Sequence, residues 1–256
     1  MAQASAMNKN NSATVEQPLG EIVADCTPRA RPASKPEYHH FQGQYCRLEL
    51  LTSNTDPTII KQLYDAFKPT EQTHFTYLKY GPFKTIDEFV DFIRTLESSP
   101  NNIGLYSVIV NNQAVGFLTY ARIKEHQAVL GIGHVNFSQQ LVRTRAGTEA
   151  IYLLIEHAFD TLKYRRVEWR CNALNAKSRR AALRLGFQYE GTWLKSDIAK
   201  GRSRDDAWHS IVDDEWPLLK QEFQRWLSKD NFDENGQQLT KLNAAQVNPR
   251  SKNLMA

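Results

Sequence analysis

Between Ala128 and Cys171 the chain runs strand, basic turn, amphipathic helix, strand, and that order narrows the folds open to it. Ala128–Phe137 is an apolar, strand-like run interrupted by Gly131 and Gly133, which predict a bulge or a ligand approaching the backbone. Ile151, Leu154, Ile155, Ala158 and Leu162 recur at helical spacing and predict a helix from about Ala146 to Leu162. Arg166–Cys171 alternates as a half-buried strand. Such a unit is α/β, with a ligand crevice at the strand ends. Its turn, Val142–Ala150, sets two arginines, two threonines and a glycine where a helix leaves its first N–H groups unpaired. Free donors, the positive end of the helix dipole and guanidinium charge suit a phosphate or diphosphate. An ordinary basic cap is the other reading of that segment.

The rest of the chain supplies elements around this unit. Cys46–Leu51 reads as a first strand, and Asp56-Pro57 starts a helix with Asp as cap and Pro in the first turn. Thr85 and Glu88 form a capping box for a second helix. Leu105–Val110 and Ala114–Ala121 flank Asn111-Asn112 as a hairpin. Ala176–Leu185 is a short helix stopped by Gly186, followed by strands Phe187–Ile198 and Ala207–Val212 and a last helix from Glu215 to Ser228. Residues 1–40, rich in Ala, Ser, Asn, Gln and Pro, are expected to form a disordered arm. Residues 41–230 form one domain, and 231–256 a flexible tail.

Composition excludes several classes. The 256 residues, 41% apolar, suffice for one sizeable core. A net charge of +4 without a long Lys/Arg block permits nucleic acid but does not indicate it. The three cysteines, Cys26, Cys46 and Cys171, lack metal-ligand spacing and are odd in number, so no metal is expected and the setting is read as reducing and cytoplasmic. No apolar run has the length of a membrane helix.

Four short motifs then carry a family resemblance: Ile132-Gly-His-Val135, Arg143-Thr-Arg-Ala-Gly-Thr-Glu-Ala150, Asn175-Ala-Lys-Ser178, and Leu185-Gly-Phe187 followed by Glu190-Gly191. Together they resemble the GNAT superfamily of acyl-CoA N-acyltransferases, most closely the branch of ribosomal-protein N-terminal acetyltransferases, over about Tyr45 to Trp216. The resemblance implies an α/β (α+β) GNAT fold: a mixed, twisted sheet of about seven strands, splayed at its centre and flanked by helices. It implies acetyl-CoA as co-substrate, its diphosphate on a loop written Gln/Arg-x-x-Gly-x-Gly/Ala. Here Val142 stands at the first position and Arg145 at the first glycine, and only Gly147 matches. Val142, Arg143, Thr144, Arg145, Ala146, Gly147 and Thr148 are thus the expected diphosphate loop, with Asn175 on the pantetheine arm and Arg180 beside it.

Acetyl transfer needs a neutral amine, stabilisation of an oxyanion and a proton for the departing thiolate. The resemblance puts Ser178 near the CoA sulfur as proton donor and Asp197 at a carboxylate position proposed as base. His134 is a further base candidate, against a packed, hydrogen-bonded histidine. Glu149 and Glu190 are better explained by the helix dipole and by the turn after Phe187. Main-chain N–H groups near His134–Asn136 suit the thioester carbonyl. The acceptor is expected between His74–Lys84 and Lys195–Arg204, as a small amine or a peptide N-terminus, in a monomer or homodimer. The other readings are a GNAT-like CoA-binding module without catalysis, suggested by Val142 and Arg145, and a basic nucleic-acid binder.

Overall fold

The computed structural model describes residues 36, 39–99 and 102–250; the expected arm up to residue 35, Cys26 and the last six residues lie outside them. One eight-stranded sheet organises these residues: β1 (Phe41–Gln42), β2 (Arg47–Leu50), β3 (Asn102–Val110), β4 (Gln113–Lys124), β5 (Val129–Phe137), β6 (Arg166–Asn172), β7 (Gln188–Ala199) and β8 (Arg202–Val212). The spatial order is β1-β2-β3-β4-β5-β6-β8-β7. Every neighbouring pair is antiparallel except β5 and β6. The extra strand relative to expectation is β1, whose two residues are too short to show a period.

Helices cover the two faces in different places. On one face α1 (Pro57–Phe67) and α3 (Ile86–Glu97) bury Ile60, Leu63, Phe67, Phe89 and Ile93 against Ile109 and Phe117. Asp56 caps α1 through Thr58 N (2.7 Å) and Thr85 caps α3 through Glu88 N (3.2 Å), as their sequences predict. Between them lies the single turn α2 (Glu71–His74). On the other face α4 (Arg145–Glu156), α5 (Ala176–Arg184) and α6 (Trp216–Leu227) share a core with Leu130, Ile132, Val167 and Trp169. Each fully buried aliphatic or aromatic side chain there stabilises by ~1.5–3 kcal/mol. The expected helix to Leu162 instead passes into a π turn at His157–Thr161.

Two stretches differ from expectation for identifiable reasons. Glu149 is buried, and its carboxylate accepts the main-chain N–H groups of Gln44 (2.7 Å), Tyr45 (2.7 Å) and Cys46 (2.8 Å). The helix dipole does not account for it: the carboxylate ties the entry to β2 onto α4. Residues 231–250, read as the start of a flexible tail, carry packed structure, including α7 (Ala244–Val247). Asn248 is fully buried and donates to Gly186 O at 2.9 Å, while Arg250 reaches Glu190, Ser210 and Glu215. A polar sequence hid this order because its few core residues, Leu242 and Ala244, make no periodic stripe, and hydrogen bonds and ion pairs hold much of the rest.

Candidate active site

The one parallel pair among the described residues opens the site. Pairing between β5 and β6 covers Val129–Ile132 against Arg166–Trp169 and then stops, although β5 runs on to Phe137 and β6 to Asn172. Beyond Ile132 the β6-facing backbone edge of β5 has no strand partner, so an extended ligand bearing amides can take the place of a strand. The expected irregularity is present: the β4–β5 register shifts after Gly133 and again beside Gly131. The β4–β5 register shifts between Phe117 and Thr119, and His134 lies in the left-handed region (φ 46°). Gly131 has another use, because a Cβ there would collide with the Arg122 guanidinium.

The segment before α4 is a preformed donor loop. Arg143 has φ 65°, and Thr144 caps α4 by accepting from Gly147 N at 3.0 Å while donating to Leu141 O at 2.8 Å. The amides of Val142, Thr144, Gly147 and Thr148 are used internally. Among the described residues, the N–H groups of Arg143, Arg145 and Ala146 remain at the helix start, fewer than the run from Arg143 to Thr148 expected. Gly147 is required by packing, since a Cβ would lie 2.6 Å from Leu141 O.

The arginines separate. Arg143 is exposed, as is Val142. Arg145 holds its guanidinium over Tyr45 (4.3 Å) and Phe232 (5.2 Å). The arginine at the position where the resemblance expects glycine therefore stacks beside the loop instead of filling it. Arg180 is exposed one helical turn before Arg184, whose Nη1 donates to Thr148 Oγ1 at 3.1 Å. Sequence reasoning missed Arg184, which ties α5 to the first turn of α4.

At the start of α5 Asn175 is the helix cap. Asn175 Oδ1 accepts from Ser178 N at 3.1 Å, and Ser178 Oγ accepts from Trp169 Nε1 at 3.0 Å. The buried Cys171 thiol also meets Ser178; burial foremost pushes that thiol up. Asp197 has a different setting. It forms ion pairs with Lys79 and, at 3.6 Å, with Arg170, and the Lys79 hydrogen bond chiefly holds its carboxyl below the usual range. The structure shows Ser178 and Asp197 engaged with different partners, Trp169 and Lys79.

The opposite face of β5 carries a polar chain that the sequence did not reveal. His74 Nε2 lies 2.9 Å from Asn136 Oδ1, Asn136 Nδ2 is 2.8 Å from Tyr80 Oη, and Tyr80 Oη is 3.2 Å from His134 Nδ1. Burial, with Arg122 second, pushes His134 down to about 4. The two segments expected to bound the acceptor are clamped together. Lys200 Nζ donates to Phe75 O (2.9 Å) and Gly81 O (2.6 Å), and Arg204 donates to Tyr77 O (3.0 Å) and Asp206 (2.7 Å). Lys200 and Arg204 are thus spent on the protein. Next to this wall, Trp193 is 60% exposed and packs against Trp208 with centroids 4.6 Å apart and rings tilted by 41°, and Arg122 and Arg170 are each 5.5 Å from the Trp208 ring.

Comparison with known proteins places this geometry in a family. The acetyltransferase (GNAT) domain profile matches residues 48–188. A GCN5-related N-acetyltransferase from Brucella melitensis is 37% identical, over 84% of this chain and 97% of its own, with a TM-score of 0.79. A GNAT-family protein from Chromobacterium violaceum ATCC 12472 is 36% identical, over 78% and 98%, with a TM-score of 0.71. The microcin C7 self-immunity acetyltransferase MccE, solved with acetyl-CoA and AMP, shares the fold at 21% identity and a TM-score of 0.58, over 66% and 93%. Comparison with curated proteins gave no match. No helix among the described residues is long and apolar enough to cross a membrane, and no cluster there has the makings of a metal site. The splayed parallel pair, the donor loop opening α4 and the profile match agree: the chain belongs to the GNAT family of acetyltransferases, enzymes that use acetyl-CoA.

Proposed function

We propose that the protein moves the acetyl group of acetyl-CoA to a primary amine, on a small molecule or a peptide N-terminus, by direct attack in a ternary complex. One observation carries this reading: the β5–β6 gap lies between a donor loop on one side of the sheet and an uncovered, polar and aromatic wall on the other. The diphosphate would sit on the N–H groups of Arg143, Arg145 and Ala146, with Arg143 and Arg180 at the rim. The pantetheine would cross the gap beside Asn175. In the attack, the amine nitrogen bonds the acetyl carbon, the C–S bond breaks, and the proton lost from nitrogen balances the one gained by the thiolate. Ser178 suits the second of these transfers, because its oxygen accepts from Trp169 and its O–H can turn from the Cys171 thiol to the departing sulfur.

Arg166 and Arg204, which a nucleic-acid binder could use on phosphate, are engaged by Glu190 and Asp206. That pairing favours the amine reading. Intact-mass measurement tests direct attack: incubation with acetyl-CoA and no acceptor should leave the enzyme mass unchanged. A stoichiometric acetyl-enzyme that an amine then discharges would contradict it.

A further inference from the structure

The polar chain at the β5 bulge has a fixed direction. Asn136 Nδ2 also lies 3.0 Å from the main-chain carbonyl of His134, and only the amide NH₂ can face that oxygen. Asn136 therefore donates to Tyr80 Oη, and its Oδ1 accepts from His74 Nε2–H. With an incoming donor on Tyr80 Oη, the hydroxyl's own proton has His134 Nδ1 as its acceptor. A neutral imidazole that accepts at Nδ1 carries its proton on Nε2.

We infer that His134 acts as a hydrogen-bond donor through Nε2–H toward the acceptor, held in that tautomer by Tyr80, and takes no proton from the amine. Tyr80 is then a positioning residue, and Asn136 and His74 set its direction. The inference rests on the proposed amine acetylation. His134 packs with Tyr80 and with Phe92 of α3, on the sheet face away from α4 and α5, which is the side left for the acceptor. The titratable and charged groups around it are Tyr80, His74 by way of Asn136, and Arg122 from β4; α3 adds only a phenyl ring. The burial that pushes His134 down to about 4 agrees with a ring that stays neutral across the physiological range.

A chemical class of acceptor follows. Asp197 is held by Lys79 and His134 offers a donor, so these groups do not remove the ammonium proton. The acceptor must then reach the site already neutral, by its own ionisation in water. At pH 7 about one in ten α-amino groups is neutral, against about one in 2,500 lysine-type amines. The site is thus suited to amines of pKa near 8, with an oxygen beside the amine for Nε2–H to meet.

Nitrogen-15 NMR of the full chain labelled on histidine decides the tautomer without any substrate. At pH 7 His134 should show the neutral Nε2–H pattern, and Tyr80→Phe should shift it toward Nδ1–H. A wild-type imidazolium or Nδ1–H pattern overturns the inference, and needs no variant to fold. The kinetic arm compares a peptide α-amine with a lysine side-chain amine. Log kcat/KM should rise with unit slope to the pKa of whichever amine is used. His134→Ala should raise the acceptor KM about tenfold, and His134→Gln, which keeps a donor, should restore most of it. An acceptor-independent limb between pH 5 and 7 that vanishes in His134→Gln would make His134 the base and sink the inference. Should no amine be acetylated at all, the proposed function fails, while the NMR pattern still decides the tautomer.

Discussion

Trp169 Nε1 donates to Ser178 Oγ across 3.0 Å, joining the strand at which the parallel pair ends to the first turn of α5. The indole occupies one of the serine's two lone pairs, and its single O–H, which also meets the Cys171 thiol, can turn toward a departing sulfur. Ser178→Ala should therefore lower kcat about a hundredfold and leave the acetyl-CoA KM nearly unchanged. A normal kcat in that variant would return the serine to simple helix capping.

Loop geometry predicts a division of labour between two nearby arginines. Arg143→Ala should raise the KM for acetyl-CoA, because its exposed guanidinium flanks the free N–H groups of α4. Arg145→Ala should move that KM less and instead destabilise the fold by about 1 kcal/mol, the value of its stacking on Tyr45 and Phe232. Steady-state kinetics beside urea unfolding separates the two effects.

Gly147 should tolerate no side chain. Leu141 O, 2.6 Å from a built Cβ, also accepts from Thr144 N and Thr144 Oγ1, so the oxygen cannot withdraw without opening the loop. Gly147→Ala is expected to raise the acetyl-CoA KM at least about tenfold, the cost of disturbing one or two hydrogen bonds. Titration calorimetry with acetyl-CoA reads the loss directly.

Much of this was open to reading along the chain, and the missing parts share a cause. The α4 stripe and the caps at Asp56 and Thr85 depend on neighbours within a few residues, so local spacing reports them. The polar chain joins Tyr80 to His134 across 54 positions, and Arg145 finds its partners at Tyr45 and Phe232. Neither partner choice leaves a periodic trace. Glu149 misled for the same reason: its position suggested a dipole effect, while its partners are the backbone of Gln44–Cys46. Asn248 and Arg250, in a polar stretch, pack through long-range hydrogen bonds and ion pairs that composition does not mark.

Glu149 consequently carries a stability prediction. Replacing it by alanine strands three main-chain donors, one of them buried, and should cost about 2–3 kcal/mol. The corresponding fall in Tm is roughly 5–10 °C for a domain of this size. A change within 1 °C would show that water satisfies the three N–H groups as well.

Acid should act through Glu190. Burial alone would raise its carboxyl, but hydrogen bonds from Arg166, then Ser210, and the Arg166 charge outweigh it and pull the group down to about 2, with Arg250 assisting. A carboxyl lower in the folded chain than its ordinary value of about 4.3 adds stability above that pH and loses it as pH falls toward about 2. Urea unfolding should weaken across that window in the wild type, and Glu190→Gln should flatten the dependence. An unchanged slope would remove Glu190 from the acid response.

The central claim is acetyl transfer from acetyl-CoA to an amine, and thiol release measured together with product mass tests it most directly. Full-length protein, acetyl-CoA and a panel of amino acids, amino sugars, polyamines and N-terminal peptides should yield at least one acceptor that accelerates CoA release. Each CoA released should be matched by one acetylated amine. Release no faster than hydrolysis with every member of the panel would contradict the account.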